Sequence, residues 1–147
     1  MTQEDKALLL KDLCARLPYD TVCQVEFKSD GRYESKNMIL SGIFKDEAYF
    51  TIENGSVYSN DYKPYLFPLS SMTEEQKKEI SKRYKLHTYY GLCIEITNHS
   101  EGYWDDDNSC NLQDYLWLVD WFNKNHFDYS GLIEKGLAID ATGLNIY

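Results

Sequence analysis

Long apolar runs are missing from this chain. No stretch of its 147 residues approaches the roughly 20 consecutive apolar residues that a membrane-spanning helix requires. Its opening residues, MTQEDKALLLKDL, are acidic first and apolar only briefly, the wrong order for a secretory signal. A cytoplasmic protein with no membrane partner is therefore expected. Closely spaced cysteines are missing too. Cys14, Cys23, Cys93 and Cys110 form no Cys-x-x-Cys pair, and an intracellular domain of this size buries a core without disulfide or metal staples. Free cysteine behaves as a small core residue, so buried thiols are expected.

Basic residues are scarce where acids are plentiful. The net charge is −9, and residues 86–147 hold only Lys124 and Lys135 against ten acids. A surface of one sign repels nucleic-acid phosphates and anionic membranes, and it attracts a basic protein. Direct nucleic-acid binding is disfavoured on this ground. Phosphate-loop, dinucleotide and nucleophile-elbow motifs (Gly-x-x-x-x-Gly-Lys, Gly-x-Gly-x-x-Gly, Gly-x-Ser-x-Gly) are all absent, so no cofactor is expected.

What is present reads as one α+β domain over residues 1–147, with an N-terminal helix in 1–18, a β meander in 19–70 and a mixed segment in 71–147. Thr2 with Asp5 offers a relative of the capping box. Leu9, Leu10, Leu13, Cys14 and Leu17 then recur at helical spacing, and Pro18 stops the helix, which is placed at 3–17. Between residues 21 and 67 the period changes to that of strands, punctuated by Asp30-Gly31 and Asn54-Gly55, residues that favour positive φ. Four or five short strands without intervening helices predict a small, strongly curved antiparallel sheet or an SH3-like barrel. The last of them, YKPYLFPL, carries two prolines and is expected at an edge or in irregular backbone.

A second helix, solvated and capped by Thr73 and Gln76, is predicted over 73–85, with Glu74–Lys78 and Glu79–Arg83 as i, i+4 pairs. A strand follows at 88–97, where Leu92, Ile94 and Ile96 alternate with Cys93, Glu95 and Thr97. A third helix is predicted over 111–126, capped by Asn111. At 100° per residue, Leu112, Tyr115, Leu116, Leu118, Val119 and Phe122 share one arc, the expected core face. Trp117 and Trp121 fall opposite, among Gln113, Asp114, Asp120 and Lys124. Near the C-terminus, Leu132-Ile133 and Leu137-Ala138-Ile139 predict a short helix or turn, then an extended tail.

Three blocks, ALLLKDLCARLPY, KPYLFPLSSMTEEQKKE and FDYSGLIEKGLAI, resemble a group of small uncharacterised proteins of gut anaerobic bacteria and their phages and mobile elements. The chain departs from that pattern at Asp20, where glycine is usual, and in its ending DATGLNIY. The resemblance implies an intracellular accessory protein and brings no activity, cofactor or catalytic residue with it.

The chemistry left to weigh is concentrated in YWDDDNSCNLQDYLWLVDW, residues 103–121. A calcium loop starting at Asp105 has Asp107 at its third position but Cys110 at the sixth and Leu116 at the twelfth, where Gly and Glu belong. Asp105 and Asp107 thus remain incomplete metal candidates, and carboxylates ahead of a helix are accounted for by its dipole. Cys93, His99 and Cys110 lack the close ligand spacing of a zinc site. Trp104, Trp117 and Trp121, with Asp120, are the expected contact residues, since tryptophan is a frequent interface anchor. The function expected is an acidic protein-interaction module that binds another protein or a second copy of itself. A small hydrolase or metal-dependent enzyme is the alternative, and an acidic mimic of nucleic acid a third.

Overall fold

The computed structural model describes residues 1–45, 47–52, 55–84 and 112–147. Helix α1, Gln3–Arg16, starts on the capping box: Asp5 N–H donates to Thr2 Oγ1 and Thr2 N–H to the Asp5 carboxylate, both at 3.1 Å. These bonds hold the Asp5 carboxyl below its ordinary range. Pro18 follows in a single tight turn, Leu17–Tyr19, and Asp20 turns the chain left-handed at φ 47°. The helix buries Leu9, Asp12, Leu13 and Arg16. Cys14, placed on the apolar stripe by its spacing, is exposed, whereas Cys23 is buried as expected. The stripe is rotated because Asp12 and Arg16 neutralise each other and can share the inward face with Leu9 and Leu13.

Strands β1 (Val22–Ser29), β2 (Arg32–Phe44), β3 (Glu47–Ile52), β4 (Gly55–Ser59) and β5 (Asp61–Pro68) follow without a helix between them. They order as β4-β3-β2-β1-β5, all antiparallel. The β1–β2 hairpin turns on Asp30 and Gly31, both at positive φ (48° and 81°), as a tight hairpin requires. In β2 the register slips between Leu40 and Gly42, and the Ser41 hydroxyl donates to Tyr49 O at 3.0 Å. Such a bulge bends the strand and deepens the twist.

At the corner between β4 and β5, the buried Ser59 hydroxyl donates to Glu26 O at 2.6 Å and accepts from Asp61 N at 3.0 Å. The sheet is strongly curved but not closed: β4 and β5 are consecutive parts of one bent segment with no ladder between them. It is an open sheet, and not a barrel.

The proline-bearing strand is not at the edge. β5 lies between β1 and a two-residue strand, β6 (Phe127–Asp128), and also pairs with β7 (Ile139–Asp140). Both added pairings are parallel, so the sheet is mixed. The prolines are tolerated because they stand where pairing changes: Pro64 is the last partner of β1, and Pro68 closes the β6 ladder. Between them, Ala141 N donates to Leu66 O at 2.8 Å and Phe67 N to His126 O at 2.9 Å.

Helix α2, Glu74–Tyr84, begins with the predicted Thr73–Gln76 capping box, at 2.9 and 3.2 Å. Glu74 pairs with Lys77 at 2.7 Å, one position earlier than the i, i+4 spacing predicts. Ile80 is its buried anchor. Helix α3 spans Leu112–Lys124. After β6, the Asp128 carboxylate accepts from Leu132 N (2.9 Å) and Ile133 N (2.8 Å), folding the predicted C-terminal turn. The strand expected at 88–97 and the Asn111 cap lie outside the described residues. No helix among the described residues is long and apolar enough to cross a membrane.

Two apolar clusters result. One joins Leu9 and Leu13 of α1 to the concave sheet face (Val25, Leu40, Phe50, Leu66) and to Leu132 and Leu137. The other gathers Leu69, Met72 and Ile80 around Leu118, Trp121, Phe122 and Phe127.

Candidate interaction face

The α3 arc is turned relative to the sequence expectation. Leu118, Trp121 and Phe122 are buried, while Tyr115 and Leu116, expected in the core, are 50% and 57% exposed. Trp121 lies flat on Phe127, with ring centres 5.7 Å apart and planes 8° apart, and meets Phe122 edge-on at 5.8 Å. Trp117 is half-buried against the same cluster. The rotation has a simple cause: Phe127, Leu69, Met72 and Ile80 all approach from the Trp121 side, and the helix buries the side that has neighbours, not the side with most apolar residues. Trp121, only 5% exposed, is thus a core residue rather than a free anchor.

Asp120 is exposed, and its carboxylate accepts the Tyr19 hydroxyl. That bond raises the Tyr19 pKa above its ordinary value and ties α3 to the end of α1. Trp104, Asp105 and Asp107 lie outside the described residues. Among the described residues no group of three His, Cys, Asp or Glu side chains is placed to hold a metal ion.

Between the clusters lies a buried polar centre. The Arg16 guanidinium, fully buried, is bonded by Nε to one Asp12 oxygen and by Nη2 to the other (3.1 Å). The same Nη2 donates to Phe127 O at 2.8 Å, and Ser130 Oγ donates to Asp12 at 2.7 Å. The guanidinium also sits 5.3 Å from the Tyr129 ring centre. Spacing alone held a signal for this pair. Asp12 and Arg16 are i, i+4 on the arc that carries Leu9 and Leu13, and only an apolar count passes over them.

The nearby titratable groups are held in their neutral forms. Burial, aided by Arg16, pushes His126 down to about 4. Its ring stacks on Tyr147 at 3.7 Å. The Tyr147 hydroxyl donates to Tyr65 O at 2.8 Å, and burial raises its pKa. Cys23 is pushed up by desolvation, which leaves an inert thiol rather than a nucleophile. Tyr147 thereby joins the C-terminal tail to β5 and to His126, while the buried His126 Nδ1 has no hydrogen-bond partner among the described residues.

The convex face of the sheet has a different character. Residues directly opposite in neighbouring strands share a face, so the register sets Ile39, Thr51 and Ser56 in one row and Gly42, Tyr49 and Tyr58 in the next. The Tyr49 and Tyr58 rings are 6.4 Å apart. Phe44, opposite Glu47, extends the patch and has the Lys45 ammonium 5.6 Å from its ring centre. Phe44 is 62% exposed, Tyr58 64% and Tyr33, at the hairpin tip, 81%. Their alternation with buried Leu40, Ala48 and Phe50 is the sequence signal that marks this face.

Comparison with known protein families, with characterised proteins and with solved structures finds no match for this chain.

Proposed function

We propose that this chain is a protein-interaction module and that the convex face of β2–β4, rather than the α3 tryptophans, holds a basic protein partner. The reading rests on exposed Phe44 and Tyr58 flanking the half-buried Tyr49 on one face of the sheet. Tyrosine and phenylalanine are typical interface anchors because they bury large area with little loss of side-chain freedom. The small Ser41, Gly42, Thr51 and Ser56 around them let a partner approach closely. The long-range field of the chain, whose acid surplus lies in residues 86–147 rather than in β2–β4, selects its sign. A chain of net −9 repels a second copy and draws in a cationic one. Aromatic rings also attract ammonium and guanidinium groups, and Phe44 already carries the chain's own Lys45.

The test is capture from host lysate with the intact chain, Tyr49→Ser/Tyr58→Ser and Leu116→Ala side by side. A basic protein retained by the intact chain and by Leu116→Ala, but lost with the tyrosine pair, supports the reading. Retention that ignores the tyrosine pair contradicts it.

A further inference from the structure

A cleft of about 340 Å³ opens where the start of α1, the start of β5 and the turn before β7 meet. This size lies at the lower end of the roughly 300–1,000 Å³ typical of small-ligand sites. Its apolar wall is Leu9, Tyr62 and Leu137. Tyr62 belongs to the concave side of the sheet, whereas Asp61 and Lys63, also lining it, belong to the convex side. Side chains of both faces meet only along a strand's edge. Among the described residues, β5 from Asp61 to Pro64 is paired on one side, with β1; the cleft follows its other edge.

The charges around the cleft divide into spent and unspent. Asp5 is spent, its carboxylate held by Thr2. The side chains of Asp61 and Lys63 form no ion pair or hydrogen bond with any other described residue, and Lys135, without a direct bond, faces the Asp5 carboxylate at longer range. Lys135 is one of only two basic residues after position 85, so its place here is not a product of abundance. Asp61 and Lys63 are two residues apart on a strand, and their stems therefore stand about 7 Å apart on one side. Long side chains can close such a gap, as Lys36 and Glu34 do in β2 at 3.0 Å, but the heads of Asp61 and Lys63 form no ion pair, which leaves each open to the opposite charge of a small molecule.

We propose that this cleft binds a small zwitterion of the α-amino-acid class. Its ammonium is taken by Asp61, its carboxylate by Lys63 and Lys135, and its apolar side chain by Leu9, Tyr62 and Leu137. A plain anion meets the Asp61 carboxylate as a repulsive neighbour, and a plain cation meets two lysines. Only a ligand with both signs uses all three groups.

The experiment titrates the intact chain with leucine, N-acetyl-leucine and leucine amide, followed by NMR shifts of β5 and the C-terminal turn. Saturable leucine binding is expected, with both single-charge derivatives weaker by about tenfold or more, the worth of one lost charged hydrogen bond. Asp61→Asn and Lys135→Gln each weaken leucine by about tenfold on the same basis, with thermal melting unchanged. An absence of saturable shifts at millimolar leucine overturns the proposal, as does equal binding of the three probes. The convex face plays no part, so Tyr49→Ser/Tyr58→Ser leaves leucine binding intact.

Discussion

The two apolar clusters are built on different plans. The sheet cluster draws its members from strand alternation (Val25, Leu40, Phe50) and closes them with one face of α1. The helical cluster depends on a few aromatic rings, Trp121, Phe122 and Phe127, interlocked by stacking and edge contacts. Strand alternation distributes burial over many modest side chains, whereas ring interlock concentrates it in few. Arg16 and Asp12 stand between the two and make them one body, since Arg16 reaches from α1 to the carbonyl of Phe127.

The largest effect is expected at that junction. Asp12→Ala leaves the Arg16 charge buried without its counter-charge and is predicted to cost about 3–5 kcal/mol in chemical denaturation. A loss below about 1 kcal/mol would mean that the two clusters do not rely on the pair. Trp121→Ala removes the central ring of the helical cluster and is predicted to cost about 3–5 kcal/mol. Leu116→Ala, one turn away on the exposed side, stays within about 0.5 kcal/mol. The reverse order would restore the sequence-based arc.

Titration separates the clusters more gently. The folded-state pKa of His126 is depressed to about 4 from its ordinary 6.5. Between these values the unfolded chain binds the proton that the folded chain refuses, so stability rises with pH across the window. His126 therefore contributes stability above about pH 6.5 that is lost as pH falls toward 4. Denaturation curves at several pH values should lose this component in His126→Gln. At the level of local opening, Ile80 is the buried residue among the described side chains of α2, so the α2 amides are predicted to exchange hydrogen before those of β1 and β2.

Much of the sheet region was legible because its signals are local. Asp30-Gly31 marks a hairpin by backbone preference, and the Thr2–Asp5 and Thr73–Gln76 boxes mark helix starts through bonds made within four residues. The α3 face was not legible. Its apolar residues surround most of the helix, and only the position of Phe127 and α2 decides which of them are covered. The inner place of β5 was hidden for a related reason. Two-residue parallel strands have no period of their own, so nothing local announces that 127–128 and 139–140 will flank a proline-bearing strand. The convex patch was half visible: many tyrosines imply exposed ones, but the register that aligns Tyr49 with Tyr58 belongs to the fold.

The most direct measurement is a side-chain footprint of the intact chain alone and with its captured basic partner, by hydroxyl-radical labelling and mass spectrometry. Protection of Phe44, Tyr49 and Tyr58 is expected, with Tyr115 and Leu116 labelled equally in both states. Protection of Tyr115 and Leu116 with the convex sheet face unchanged would contradict it.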